Sequence, residues 1–334
     1  MTAEYDIFGE VLQKDIGMKP KFSGHDTFPL RYGWLHKAVN LLASNENLPR
    51  NADETARDAI VELGVGRNMV NAIKYWADMT GVLSTSTANG RHALKVTDLG
   101  KFIFDREGGI QSGVDPYLED IGSIWLIHFH LNFDDRALTS YRYFFNFCNY
   151  QSFEKTKLID EVYTSAASLT GLEPGKKSTI KKDVDCFLQS YITKSRLSRN
   201  VDEDHFSSPL AELGLIREIS NGYLVSELSE RRSLPPEIFA YALCSFIEKE
   251  TKESKVNFID FDSLLSKPGS PGRIFRMSEP GLSIALDKAS KISNGAISWT
   301  DSLGLRQIVI SESLKTKYRD FVESYYGNGW SFYD

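Results

Sequence analysis

Leu63-Gly-Val-Gly-Arg-Asn-Met-Val-Asn-Ala-Ile-Lys-Tyr-Trp-Ala-Asp-Met-Thr-Gly-Val-Leu83 is the stretch on which the reading of this chain turns. From about Arg67, Val70, Ile73 and Ala77 recur at helical spacing, which gives a helix one apolar face. Gly81 stops it, because glycine takes the left-handed conformation at a helix end without a Cβ penalty. Upstream, Ala56, Ala59, Ile60 and Leu63 form another apolar helical face over residues 55–64, separated from the first by a tight Val65-Gly66 turn. Downstream, Val82 and Leu83 start a strand, Thr87-Ala88-Asn89-Gly90 has turn chemistry, and Leu94 and Val96 alternate in a return strand. Thr97-Asp98-Leu99-Gly100 then caps a helix carrying Phe102, Ile103 and Phe104. Helix, tight turn, helix, hairpin is the order of a winged helix-turn-helix.

That order says which residues would meet a partner. The second helix of such a motif enters the major groove with its early residues, here Arg67, Asn68, Asn71 and Lys74, opposite Val70 and Ile73. Arginine suits guanine and asparagine suits adenine, since each makes two parallel hydrogen bonds in that groove. Arg91, His92 and Lys95 fall at or just after the wing tip, where phosphate or minor-groove contact is expected. The same module also serves for dimerisation or protein docking, so a scaffold that never touches DNA stands beside the DNA reading.

The pattern recurs. Over residues 155–228, Leu158, Val162, Ala166 and Leu169 share a helical face, and Ser178 is the expected cap of a helix with Ile180, Val184, Phe187, Leu188 and Tyr191 inward. Asn221-Gly222 between apolar runs is a hairpin turn. Over residues 258–310, Ser278 caps a helix bearing Leu282, Leu286, Ala289 and Ile292, Gly295 ends it, and two strands follow. Gly81, Gly214 and Gly295 are unevenly spaced, which rules out a solenoid of fixed period. Between the first two units, Asp115-Pro116 is expected to start a helix. Residues 121–133 read as a buried helix, and Trp125, Phe129, Tyr141, Tyr143, Phe144, Phe145 and Phe147 as core. Pro235-Pro236 starts another helix, with Phe239, Ala242, Leu243 and Phe246 inward, and the charged run 248–255 is a solvated helix end or linker.

The expected fold is therefore mainly α with small β-hairpins (α+β): tandem winged-helix-like units with a helical insert. The divisions fall at 1–50 (strap and helix), 51–110 (first unit), 111–154 (insert), 155–232 (second unit) and 233–334 (helix plus third unit).

Composition narrows the function classes. A chain of 334 residues with 41% hydrophobic and 25% charged residues is globular and long enough for several domains. Cys148, Cys186 and Cys244 lie far apart, as buried hydrophobes in a reducing cytosol would. No signal peptide and no run of about 18 apolar residues appear, so a cytoplasmic protein without membrane contact is expected. The net charge of −6 opposes indiscriminate coating of nucleic acid, yet residues 64–101 sum to +3 and residues 172–200 to +4. In the second patch Lys176, Lys177, Lys181 and Lys182 flank the start of the long helix as phosphate partners or as a plainly solvated face.

A search for catalysis finds little, and no catalytic residue, cofactor or metal is expected. His128 and His130 point to different faces of one helix, and phosphate-loop, dinucleotide and nucleophile-elbow motifs are absent. Asp260, Asp262 and Lys267 superficially match nuclease carboxylate clusters, as does Glu250-Thr-Lys252, so a metal-dependent nuclease is the remaining enzymatic alternative. Phe22-Ser-Gly-His-Asp-Thr-Phe-Pro-Leu-Arg-Tyr-Gly-Trp-Leu35 packs His25, Asp26 and Arg31 among aromatics. It is either a polar site near a phosphate or nucleotide, or a strap whose polar groups satisfy buried backbone.

This segment, with Leu63–Val70, Asp115-Pro-Tyr-Leu-Glu-Asp120, Lys182-Asp-Val-Asp-Cys186, Ser208-Pro-Leu-Ala-Glu-Leu-Gly-Leu215, Ser270-Pro-Gly-Arg-Ile-Phe275 and Gly304-Leu-Arg-Gln307, resembles the bacterial family known as domain of unknown function 4007. The resemblance covers nearly the whole chain and carries no catalytic residues. Members look like components of bacterial defence and DNA-modification gene clusters. They often accompany enzymes similar to phosphoadenosine phosphosulfate reductase, the kind used in DNA phosphorothioation. The resemblance thus implies a DNA-associated accessory protein, with duplex DNA, such an enzyme or other defence-system subunits as partners.

Overall fold

A computed structural model describes residues 18–43, 63–88, 91–105, 113–192, 208–219, 222–251, 258–302 and 305–329. The fold is mixed α+β and mainly helical, around a core that runs without interruption from Met18 to Tyr326. At its centre is the Ile121–Phe133 helix, apolar all round and buried on every side, as such a sequence requires. Around it Trp125 and Phe275 meet edge to face at 5.5 Å, and Phe129 stacks on Phe133 at 4.7 Å. Of the expected aromatic core, Trp125, Phe129, Tyr141, Tyr143, Phe144 and Phe145 are buried and Phe147 is half-buried.

The start of this helix differs from the sequence expectation. Asp115 accepts the Glu119 and Asp120 amides at 2.9 and 3.0 Å, so its carboxylate does cap. Leu118, however, sits at φ 56, a left-handed residue that breaks the helical path. The helix begins only at Ile121, where Asp120 accepts the Gly122 amide.

Two three-stranded sheets share one topology. Ser152–Glu154 leads into the Lys155–Thr170 and Lys177–Tyr191 helices, and the hairpin of Arg217–Glu218 and Tyr223–Val225 returns so that its second strand pairs with the leading strand. Phe258–Asp260 likewise precedes Phe261–Ser266, Pro271–Ile274 and Glu279–Ile292. The Ile297–Ser302 and Leu305–Ile310 hairpin then adds to it in the same order. Both leading strands escape the sequence reading, because three residues cannot display an alternation.

The first unit has the Arg67–Met79 helix followed by the Leu83–Ala88 and Arg91–Val96 hairpin, in register from Leu83 opposite Val96 to Ala88 opposite Arg91. The expected helix over 55–64 lies outside the described residues except for its end at Leu63, as do Asn89, Gly90, Asn221 and residues 252–257. Thr97 and Ser278 cap as expected, accepting the Gly100 and Gly281 amides. Gly81 and Gly295 follow their helices at φ 72 and 80. Ser178 does not cap: the helix opens two residues earlier than expected, at Lys177, and Lys176 in the cap position offers no side-chain acceptor.

Arginines lock the later units together. Arg276, 2% exposed, donates to the carbonyls of Cys148, Tyr150 and Ser226. Arg231 donates to those of Glu227, Phe275 and Arg276. Among the described residues no helix is long and apolar enough to cross a membrane.

Candidate nucleic-acid interface

The Arg67–Met79 helix is a half-sunken rod. Its first two turns expose Arg67, Asn68 and Asn71, while Val70 and Ile73 face the core, as their spacing requires. From Tyr75 to Thr80 every residue is buried, and the Trp76 indole donates to the Phe28 carbonyl at 3.0 Å. Only the N-terminal half can therefore meet a partner, which is the half a recognition helix uses. Lys74, at the boundary, is half-buried, and burial pulls its ammonium below the usual lysine range. On the hairpin Lys95 is exposed, opposite Ser84. Arg91 and His92 pair with Ala88 and Thr87 in the strand, but their side chains lie outside the described residues.

The 22–35 segment is a strap laid across this helix. His25 is 2% exposed, and its Nε2 lies 2.9 Å from Oδ1 of Asp183, which is 0% exposed. The Thr27 amide, which can only donate, points at Nδ1 at 3.0 Å, so Nε2 carries the proton given to the carboxylate. The Ser140 amide donates to the other Asp183 oxygen at 2.8 Å. Both ring nitrogens of His25 are thus engaged inside the fold. Its ring edge also meets Tyr75 at 5.5 Å between centroids. Gly24 sits at φ 117, and a Cβ there would lie 2.7 Å from Cδ2 of Tyr75, so only glycine lets the strap lie this close.

The turn itself is unusual. The Phe28 amide donates to the His25 carbonyl at 2.8 Å across Asp26 and Thr27, which take φ 46 and 65. Two left-handed central residues make the type I′ geometry, a poor place for β-branched threonine. Asp26 is exposed and accepts from the Asn71 carboxamide at 3.4 Å. Arg31 packs over Phe28 and Trp34, 5.5 Å from each ring. Of the strap residues singled out from sequence, Asp26 meets the exposed half of the candidate helix at Asn71, and His25 meets its buried half at Tyr75.

Lys176, Lys177, Lys181 and Lys182 are all exposed on the first two turns of the Lys177–Tyr191 helix. Lys177 is ion-paired with Asp160. Lys176, Lys181 and Lys182 have no ion pair among the described residues. Asp185 on the same helix is neutralised by Lys155 at 3.0 Å. The corresponding Glu279–Ile292 helix presents different chemistry: Glu279 pairs with Arg306, Lys288 lies 3.6 Å from Glu230, and Ile284 is 38% exposed between them.

The nuclease-like set is drawn into structural contacts. Asp260 caps its helix through the Ser263 amide at 2.7 Å, Asp262 pairs with Arg306 at 3.1 Å, and Lys267 pairs with Glu250. Sequence reasoning missed Tyr75 and Asp183, the strap's two seats. Asp183 did leave a signal: it falls three residues after Ile180 and four before Phe187, a carboxylate on an apolar stripe.

The family described as "Protein of unknown function (DUF4007)" matches residues 22–326. A structure described as "SspB crystal structure" is 29% identical, with a TM-score of 0.79 over 93% of this chain and 89% of its own. A second, the "Magnesium ion-bound SspB crystal structure", is likewise 29% identical, with a TM-score of 0.78 over the same shares of 93% and 89%. A comparison with the curated proteins finds no match.

Proposed function

Since the chain belongs to the DUF4007 family, we propose that it is a cytoplasmic, duplex-DNA-binding accessory subunit of a bacterial DNA-modification or anti-phage defence system. Its first unit, read as a winged helix, meets the duplex, and its protein partner is a phosphoadenosine phosphosulfate reductase-like enzyme or another defence-system subunit. One observation carries this reading: Arg67, Asn68 and Asn71 project from a helix whose other half is fixed in the core. A helix held this way presents its side chains without having to be ordered first, which lowers the entropic cost of binding. Lys95 on the hairpin and the lysines of the second unit supply charge for phosphates.

The test is an anisotropy titration on duplex DNA at low salt. Arg67→Ala/Lys74→Ala is expected to weaken binding about tenfold or more, since a good base contact is worth about 1–3 kcal/mol. No binding by the unmodified protein, or equal binding by the double variant, overturns the reading.

A scaffold reading draws on the third unit, whose helix exposes Ile284 among paired charges, a surface for protein more than for phosphate. Co-purification with a modification enzyme and no DNA affinity would establish it. The magnesium ion of one SspB structure favours a third reading, a metal-dependent nuclease. Among the described residues no group of three or more His, Cys, Asp or Glu is placed to hold a metal. Plasmid nicking that needs magnesium or manganese and is lost in Asp260→Ala would make the nuclease reading the primary one.

A further inference from the structure

The candidate recognition helix and the lysine-bearing helix belong to different units, yet the strap turn touches both. The Asn71 carboxamide donates to Asp26, and the preceding residue, His25, is bound to Asp183, which neighbours Lys182 in the second helix. Two consecutive strap residues therefore tie the exposed half of the first helix to the opening turns of the second. Most of the acidic charge nearby is already engaged: Asp183 is buried under the strap, and Asp185 is paired with Lys155. Asp26 is an exposed carboxylate on the strap turn, and it accepts from the Asn71 carboxamide.

Resting on the DNA reading above, we propose that the strap turn joins the Arg67–Met79 and Lys177–Tyr191 helices into one cationic face that takes a single duplex. Arg67, Asn68 and Asn71 meet the major groove, and Lys181 and Lys182 hold the phosphates beside it. Lysine ammoniums are point charges with no fixed geometry, so this second contact is indifferent to sequence and fixes position and grip. Asp26 lies inside the footprint, where its charge opposes phosphate and restrains the carboxamide of Asn71. The partner class is double-stranded nucleic acid engaged through its backbone across two units, a longer footprint than one helix and its hairpin would give.

Three variants test this on a mixed-sequence duplex of about 30 base pairs, by anisotropy over a salt series, with circular dichroism to confirm folding. Each phosphate contact adds about 0.9 to the slope of log affinity against log salt. Lys181→Ala/Lys182→Ala is expected to flatten that slope by about 2 and weaken binding on every sequence alike. Asp26→Asn, which removes the opposing charge, is expected to tighten binding severalfold. Arg67→Ala/Lys74→Ala reports on the underlying reading. If that variant weakens binding while the lysine pair leaves the slope unchanged, or Asp26→Asn leaves affinity unchanged, the joint face is wrong and the single-unit reading survives. If the unmodified protein binds no DNA at low salt, both fall.

Discussion

Replacing His25 by alanine is expected to cost about 3–5 kcal/mol of stability. Asp183 is 0% exposed and receives two hydrogen bonds, from His25 Nε2 at 2.9 Å and from the Ser140 amide at 2.8 Å. With the imidazole gone, a buried carboxylate keeps one donor. A hydrogen bond to a charged group is worth about 1.5–3 kcal/mol, and removing the partner of a buried charge costs about 3–5 kcal/mol. Asp183→Asn keeps the shape and removes the charge, at an expected cost of about 1–3 kcal/mol for the unpaired donor it leaves. In the double variant the charge that His25→Ala strands is no longer there. The two losses should therefore fall short of their sum by about 1.5–3 kcal/mol. Urea unfolding of all four proteins, followed by two probes to check that the transitions coincide, measures this cycle. If His25→Ala stays within about 0.5 kcal/mol of the parent, or the losses add within that margin, the buried pair is not what seats the strap.

Thr27→Gly should raise stability by about 0.5–1 kcal/mol. It relieves a β-branched residue at φ 65, where the left-handed conformation costs about 1–2 kcal/mol, against the greater freedom glycine gives the unfolded chain; an unchanged or lower melting temperature would show that the turn is not strained. The protein should also lose stability in mild acid. Burial holds His130 down at about 4 and His128 at about 3, below the ordinary value of 6.5. For a base with a lowered folded pKa the unfolded chain takes the proton first, so stability falls as pH drops from 6.5 towards 4, and further for His128. Each such group contributes up to about 1.4 kcal/mol per pH unit in that window. Denaturation at stepped pH should show a shallower decline for His130→Gln, and an identical decline would refute the assignment.

What the sequence disclosed and what it withheld divide by the range of the interaction. Val70, Ile73, Gly81, Thr97 and Ser278 act on neighbours within one or two helical turns, and each does in the fold what its spacing implied. Ser178 and Asp115 show the limit of that reasoning: both are good capping residues. One lost its place to a helix that opens two residues early, and the other caps a turn that Leu118 prevents from continuing as helix. The Arg67–Met79 helix shows a larger gap. A single apolar stripe predicts one buried face along its whole length, yet its last turns are enclosed on all sides. The extra cover comes from partners far away in the chain. Trp76 is held by Phe28, and Asp78, polar but only 7% exposed, is held by Lys21 at 3.4 Å and Arg136 at 3.6 Å. No periodicity encodes such contacts. What periodicity can do is flag the residue that violates it. Asp183, alone on an apolar face, must have a distant partner or it would not be tolerated there, and that partner, 158 residues earlier, is the histidine that fixes the strap.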